Sequence, residues 1–318
     1  MTLRAADPGS IAESFRRLAP LRSLLGEIND IKRIRVAGRS GSLADQGFIR
    51  SWASLFCGES PGLVARRELA FAVASARLGG IDAATLSGAG LDRAEVETIL
   101  RASLAEVAGP LGASWLASME LAIHELADPR SWATTQQATP EFVGLLQMQP
   151  RAGATRPGRP RLVLEPPESH AEHCYITAVY AALVATGFEA DLGMAFLAGL
   201  AHHFHNAYLP DSGFAGEELL GGHLNPIMDR FTARVFEQIP EALAPAVRAA
   251  REILADANTP EGQAFHAGDV VDRVLQMEQY ARVAAFETRQ ALEDLDLVHP
   301  GPLQAFHQQV LVAVGLGT

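Results

Sequence analysis

Strand patterns are almost absent from this sequence, and their absence restricts the available folds more than any other feature. The β-branched residues are scattered and do not alternate with polar ones, as they would along a half-buried strand. Apolar residues instead recur at intervals of three and four. In one such segment Ser169 is a good N-cap, Glu172 holds the capping-box position and Gly187 stands at the end. The sequence therefore predicts an all-α protein.

Composition divides the 318 residues into two halves. All three tryptophans lie before residue 150, whereas nine of the ten histidines lie at or after residue 170. Residues 151–168 are rich in Pro, Gly and Arg, a composition that disfavours helix. We therefore predict an N-terminal helical region of unknown role over 1–150, a linker over 151–168 and a second helical domain over 169–318. The first helix is expected over 7–28, with a kink or break near Ala19 because Pro20 follows it.

The charge balance argues against nucleic acid as a partner. The formal net charge is −11 and the pI is about 5.4, and the basic run at 31–39 is short and fits a solvated helix face. Two distant cysteines do not form a disulfide framework. The chain shows neither a signal-peptide pattern nor an apolar run of about 20 residues. We expect a cytoplasmic protein with no nucleic-acid or membrane partner, and a homo-oligomer is compatible with the sequence.

Histidines and carboxylates cluster in three short segments of the second half. Residues 168–174 read ESHAEHC, residues 197–211 read LAGLAHHFHNAYLPD, and residues 259–280 contain Asp269 and Asp272 at what is expected to be the start of a long helix. Imidazoles are costly to bury unless their nitrogens are used, and metal sites need ligands from several rigid elements. The three segments meet that requirement. Mixed nitrogen and oxygen ligands suit a divalent transition metal such as Mn, Fe, Co, Ni or Zn.

The three segments, in this order, resemble the motifs of the HD-domain metal-dependent phosphohydrolases, especially the branch that contains 5′-deoxynucleotidases. That branch carries Glu-x-x-x-Glu-His on one helix, a His-Asp pair after an apolar run on the next, and Ala-Asp-x-(apolar)-Asp on a later helix. The resemblance covers roughly residues 160–290 and leaves out the first 150. It implies an HD-domain helical bundle, with metal-binding residues, preceded by the N-terminal helical region.

Matched residue by residue, the resemblance implies the ligands of one metal. His173 would be the first ligand, His202 the second and Asp269 the last. His203 stands where the family has the aspartate of its His-Asp pair, and it is counted with the ligands. An imidazole at this position brings no negative charge, so the site becomes one unit more positive and favours softer metals over Mg²⁺ or Mn²⁺.

The residues that would move protons follow from the same resemblance. Asp211 matches an acidic residue that this branch often has after the His-Asp pair, and His205 is expected to line the pocket. We predict that Asp211 or His205 is the catalytic group that handles protons. The branch often has a glutamate four residues after its first pair histidine. Here that position is Asn206, which cannot serve as a general base.

The resulting prediction is a metal-dependent, phosphohydrolase-like enzyme acting on a small anionic substrate, either a phosphate ester or a nucleotide. One alternative is an HD-type iron-dependent oxygenase, suggested by the histidine-rich segment together with His223. Another is a non-catalytic regulatory or binding protein, because Asn206 and the altered pair are what an inactivated descendant would show. The remaining histidines of the second half are expected at surface or cap positions: His170, His266, His299 and His307.

Overall fold

The computed structural model describes residues 18–132, 139–284, 287–294 and 296–317, and these ranges contain fifteen α-helices and no β-strand, as predicted. The helices are α1 (Arg22–Asn29), α2 (Leu43–Phe56), α3 (Pro61–Leu78), α4 (Ala83–Gly88), α5 (Arg93–Val107), α6 (Ala113–Ser118), α7 (Glu120–Leu126), α8 (Glu141–Met148), α9 (His170–Phe188), α10 (Leu192–Ala201), α11 (Gly213–Leu220), α12 (Leu224–Phe236), α13 (Ala244–Ile253), α14 (Pro260–Ala284) and α15 (Gln304–Ala313). Much of the helix predicted over 7–28 lies outside the described residues. A 3₁₀ turn at Ala19–Leu21 precedes α1, close to the expected break.

The start of α9 follows from its local sequence. The Ser169 hydroxyl accepts a hydrogen bond from the backbone N–H of Glu172, and the Glu172 carboxylate accepts one from the N–H of Ser169. This capping box satisfies two helix N–H groups that would otherwise lack partners. It fixes the position at which the first turn of α9, with its two histidines, begins.

Helix α9 is buried along most of its length, and α10 and α14 pack directly against it. Glycines allow this close packing. A Cβ at Gly199 would lie 2.4 Å from the Cα of Ala178, and a Cβ at Gly268 would lie 2.8 Å from the backbone nitrogen of Ala181. Larger residues at either glycine would push the helices apart. The close contacts bring the first turn of α9, the end of α10 and the middle of α14 together.

The N-terminal helices share one continuous hydrophobic core with the second half of the chain. Trp52 of α2 is fully buried, and its ring lies 5.1 Å from that of Phe142 and 5.5 Å from that of Phe204. Arg50 and Glu68 form a buried ion pair, and the Glu68 carboxylate also accepts a hydrogen bond from the hydroxyl of Tyr175 on α9. Helices α2 and α3 therefore pack on α9 and α10 as part of the same core.

Residues 151–168, predicted as a linker, form an irregular loop that leads into the N-terminal end of α9. Ala154 and Leu162 exchange two backbone hydrogen bonds, and the N–H of Arg151 donates to the carbonyl oxygen of Glu168. This irregular segment carries Arg151 to the side of the bundle where the histidines lie. In the described part of the chain, no helix is both long and apolar enough to span a bilayer.

Candidate metal centre

Three elements bring the four predicted ligands close together. His173 lies in the first turn of α9, and the pair His202 and His203 directly follows α10. The Nε2 atoms of His173 and His202 are 3.0 Å apart, and Oδ1 of Asp269 is 3.4 Å from Nε2 of His173. One ring nitrogen from each of the three histidines lies within 4.8 Å of those of the other two.

Asp269 and Asp272 occupy a different part of their helix from the one expected. Helix α14 begins at Pro260, so both aspartates lie in its middle and not at its start. They are three residues apart and project towards the same side. Asp269 faces Nε2 of His173, whereas Asp272 faces Nδ1 of the same ring. One imidazole is thus held between two carboxylates.

The Nδ1 atoms of two histidines are already used as donors. Nδ1 of His202 is 2.6 Å from the carbonyl oxygen of Gly199, which can only accept a hydrogen bond. Nδ1 of His173 is 2.7 Å from Oδ2 of Asp272. In a neutral ring bonded in this way, Nε2 carries a lone pair and no proton. Histidines that bind metals commonly show this arrangement.

The donor set fits a divalent metal on its own chemistry. Two Nε2 lone pairs that face each other across 3.0 Å repel unless a cation is shared between them. Three imidazole nitrogens and the carboxylate of Asp269 supply four donors, which suits Zn, Fe, Co or Ni. His173, His202, His203 and Asp269 are the residues that would hold such a metal.

Electrostatics keep these groups in the protonation states that metal binding needs. Burial lowers the pKa of His202 and of His203 well below the usual value, so both rings stay neutral. Burial alone would raise the pKa of Asp269, but the nearby guanidinium group of Arg273 outweighs it and lowers that pKa. The site therefore contains neutral imidazoles and an ionised carboxylate.

A second group of possible ligands, Glu168, His173 and Asp272, is already occupied by the protein's own cation. The ammonium group of Lys32 bonds to the carboxylates of both Glu168 and Asp272. Burial alone would raise the pKa of Asp272, but Lys32 and His173 lower it. A metal bound by His173 would therefore lie on the side of the ring that faces His202 and Asp269.

Lys32 also corrects an expectation drawn from the sequence. The basic run at 31–39 was expected on a solvated helix face, but Lys32 is only 4% exposed. Asn29 donates to the same carboxylate of Asp272, and Arg33 donates to the side chain of Gln276 on α14. The N-terminal region therefore contributes directly to the surroundings of the candidate ligands.

A cavity of about 260 Å³ opens beside the candidate ligands. His202, His203 and Asp269 contribute to its wall, and Arg151 and Arg273 also line it. Nη1 of Arg151 lies 3.4 Å from Nε2 of His203, so a positive group faces this ring nitrogen. Nε of Arg273 is buried and has no hydrogen-bond partner among the described residues. The carboxylates of Asp211, Glu217 and Asp269 line the same cavity, so its two guanidinium groups favour an anion only together with a bound divalent cation.

Of the two predicted proton-handling residues, the structure places one in the cavity wall. Asp211 lines the cavity, and its carboxylate accepts hydrogen bonds from the N–H groups of Ala152 and Gly213. Burial opposes ionisation of Asp211, but Arg151 and these N–H groups lower its pKa overall. His205 is buried and is not among the residues that line this cavity. Burial lowers its pKa to about 4.

His170 was expected on the surface, and that expectation was wrong. It is fully buried, its Nδ1 lies 3.1 Å from the carbonyl oxygen of Gln149, and its Nε2 is 3.7 Å from Asp211. Its place in the first turn of α9, one turn before His173, was the available signal. His223 is exposed in the turn before α12 and is not among the residues that line the cavity.

Two further expectations of surface histidines were also wrong. His266 is 5% exposed and His307 is 8% exposed, and Nε2 of each has no hydrogen-bond partner in the described part of the chain. His299 is partly buried, stacks on Phe214 and lines the cavity. The sequence gave no sign that these histidines are buried. The apolar residues around an isolated histidine do not show which face of its helix is covered by the rest of the protein.

Comparison with known proteins gave one match. A family profile described as the HD domain matches residues 143–298, a range that includes most of α8, the segment 151–168 and all four candidate ligands. No curated protein and no solved structure matches the chain.

Proposed function

Because residues 143–298 make this chain a member of the HD-domain superfamily, we propose that it is a metal-dependent hydrolase acting on a small phosphate ester or a nucleotide. The family indicates a metal-dependent phosphohydrolase type of function. The ligand set, the proton-handling residue and the substrate class are our own assignments. The match of His202 and His203 to the family's His-Asp pair is likewise our own assignment.

One observation carries the proposal. Three imidazole nitrogens lie within 4.8 Å of one another, and the carboxylate of Asp269 lies 3.4 Å from Nε2 of His173. Two of these imidazoles and Asp269 line a cavity whose wall also contains two arginines. A divalent metal held by such a set would polarise a phosphoryl oxygen and lower the pKa of a water molecule bound to it. A divalent metal held next to two guanidinium groups would match the negative charge of a phosphate ester.

The arginines would bind and orient the substrate. Arg151 and Arg273 approach the cavity from different elements, the segment before α9 and the middle of α14. Both guanidinium groups line the cavity, so an incoming phosphate oxygen can accept hydrogen bonds from them. Thr155 adds a hydroxyl to the same wall. These groups would hold the phosphate against the candidate ligands.

Asp211 is our choice for the proton-handling residue. Its two backbone hydrogen bonds hold the carboxylate in place, and the lowered pKa keeps it ionised near neutral pH. An ionised, fixed carboxylate at the cavity wall can accept a proton from water. His205 was the other candidate, but it does not line the cavity.

The test measures phosphate release from p-nitrophenyl phosphate and from a set of nucleoside monophosphates. The protein is loaded with Co²⁺, Mn²⁺, Ni²⁺ or Zn²⁺. We expect release with at least one metal and loss of release after chelation. Asp211→Asn should lower turnover by about 10²- to 10⁴-fold while metal content stays unchanged. The matched control is Asp229→Asn, an exposed aspartate on α12, which should behave as wild type.

Two results would contradict the proposal. Full activity of Asp211→Asn would remove the proton-handling role from Asp211. Failure of every metal-loaded form to release phosphate would remove the hydrolase function itself. In that case a protein that binds metal but turns over nothing would fit a regulatory or binding role.

A redox function has one observation in its favour, namely that three of the four candidate donors are imidazole nitrogens. Such a set also suits iron in oxygen chemistry. His223, which supported this alternative in the sequence, is exposed and does not line the cavity. Bound iron together with substrate-dependent O₂ consumption would favour the oxygenase over the hydrolase.

A further inference from the structure

His203 and Asn206 form a hydrogen-bonded pair within one 3₁₀ turn, Phe204–Ala207 and the residue that precedes it. Nδ1 of His203 is 2.8 Å from Oδ1 of Asn206. Asn206 is only 4% exposed, so water cannot replace it easily in this contact. The two positions at which the sequence departs from the expected motif are therefore in direct contact with each other.

The orientation of the Asn206 amide is fixed by a second contact. Its Nδ2 donates to the carbonyl oxygen of Leu209 at 3.1 Å. A carbonyl oxygen can only accept, so Nδ2 must face Leu209 and Oδ1 must face His203. Oδ1 in turn can only accept, so the proton of the neutral His203 ring lies on Nδ1. The lone pair of His203 is therefore on Nε2.

All three histidines of the candidate centre thus have the same arrangement. Each donates through Nδ1, to Asp272 from His173, to the Gly199 carbonyl from His202, and to Asn206 from His203. The ring centroids of His202 and His203 are only 4.2 Å apart. Without Asn206, nothing would fix the position of the His203 ring proton, and His203 could present either nitrogen to a metal. With Asn206 in place, only Nε2 is available.

We propose that Asn206 is a positioning residue that commits His203 to metal binding through Nε2. The two residues together make the centre select nitrogen-preferring divalent metals (Zn²⁺, Co²⁺, Ni²⁺ or Fe²⁺) over Mg²⁺ and Mn²⁺. This inference rests on the metal centre of the proposed function and is independent of the reaction it performs.

The chemistry of the donors supports this selection. Mg²⁺ prefers oxygen ligands and, like Mn²⁺, binds best where carboxylates offset its charge. Here the fourth donor is a neutral imidazole, and Arg151 lies 3.4 Å from its Nε2. Hard cations therefore meet a nitrogen-rich site with only one carboxylate, whereas the positive charge of Arg151 repels every divalent cation alike. Metals with strong imidazole affinity lose much less binding affinity at such a site.

The test titrates metal-free protein with Co²⁺ and with Mn²⁺, each against a chromophoric chelator, and records the visible spectrum of the Co²⁺ form. Wild type should bind Co²⁺ far more tightly than Mn²⁺. Asn206→Leu removes the acceptor at similar size. It should weaken Co²⁺ binding by about 10- to 100-fold and change the spectrum. Asn206→Asp keeps an acceptor and should bind Co²⁺ at least as tightly as wild type.

A third variant tests selectivity itself. His203→Asp supplies an oxygen donor and a negative charge, so the preference for Co²⁺ over Mn²⁺ should narrow by at least about tenfold. The matched control is Asn225→Leu on the exposed surface of α12, which should leave both affinities unchanged. Because His203→Asp does not depend on Asn206, it still tests the metal preference if Asn206→Leu fails to fold, and Asn206→Asp then tests the positioning role.

Two outcomes would overturn the inference. Asn206→Leu, folded by circular dichroism, could bind Co²⁺ as wild type does and show the same spectrum. His203→Asp could keep the wild-type preference between Co²⁺ and Mn²⁺. Neither measurement involves turnover, so the hydrolase proposal can fail while the metal selection holds. Likewise, the metal selection can fail while phosphate release is still observed.

Discussion

The same side chain serves different purposes in this molecule, and the group that faces Nε2 decides which. His173, His202 and His203 each donate through Nδ1 and so turn Nε2 towards the cavity side of the centre. His170 also donates through Nδ1, but its Nε2 faces Asp211. His205 lies behind His203, with its Nδ1 unpartnered among the described residues. A histidine count alone therefore overstates the number of ligand candidates.

At this scale the sequence predicted residue types better than it predicted contacts. The spacing of the motifs placed His173, His202 and Asp269 on three helices, and these helices do converge. The role of Asn206 was not predictable from spacing, because the motif gives no information on where an amide points. It was interpreted as a missing base, whereas the structure pairs it with His203.

At the scale of elements, the first described helix reaches the candidate centre. The turn after α1 delivers Lys32 between Glu168 and Asp272, and Asp272 accepts the Nδ1 proton of His173. Lys32 is the only lysine in the chain. Its position could not be read from the sequence, since the run at 31–39 contains as many apolar as basic residues and fits an exposed helix equally well.

Replacement of Lys32 by methionine tests this connection. The change leaves the carboxylate of Asp272 buried without its cation, so metal-free protein should be destabilised by about 3–5 kcal/mol. Co²⁺ affinity should fall by about 10- to 100-fold, because Asp272 no longer holds His173 firmly. Urea unfolding and metal titration measure the two effects.

The matched control for this change is Arg35→Met, which removes an exposed cation from the same segment. It should alter stability by less than about 0.5 kcal/mol and leave metal affinity unchanged. Unaltered Co²⁺ binding by a folded Lys32→Met protein would show that Lys32 supports the fold alone and not the centre.

The position of the candidate centre within the bundle depends on close helix packing. Gly199 lets α10 approach α9, and Gly268 lets α14 approach it from another direction. The sequence predicted the helices from their periodicity and caps. It could not predict which of their faces would meet, because α9 is apolar on all sides and shows no preferred face.

At the scale of the whole molecule, the N-terminal helices and the second half share a single core. Trp52 packs among Phe142 and Phe204, one from each side of the segment 151–168. Composition suggested a division at this segment because the tryptophans and histidines separate there. Composition does not report which residues pack together, however, and the contacts cross that division.

The buried histidines predict steep loss of stability in acid. Burial lowers the pKa of His170 and His307 to about 3 and that of His205 and His266 to about 4. In the unfolded chain each has a pKa near 6.5, so the unfolded state binds more protons below that pH. Their stabilising contribution is fully present above pH 6.5. It is lost as the pH falls towards 3–4, by up to about 1.4 kcal/mol per residue and pH unit.

Urea unfolding of metal-free protein at pH 7.5, 6.5 and 5.5 measures this effect. Stability should change little between the first two values and fall by several kcal/mol at the third. Glu172 acts in the opposite direction, because burial raises its pKa to about 7, and it offsets only part of the loss. His307→Gln should reduce the slope. Equal stability at pH 7.5 and 5.5 would contradict the neutral, buried state of these histidines.

The central claim is that one metal is held by residues from three helices, and metal stoichiometry tests it most directly. Protein purified without chelator, or reloaded with Co²⁺, should contain one metal per chain. His202→Ala should lose most of it, whereas His223→Ala, which removes an exposed histidine, should keep it. Full metal content in a folded His202→Ala protein, or no metal in wild type under any loading condition, would contradict the proposed centre.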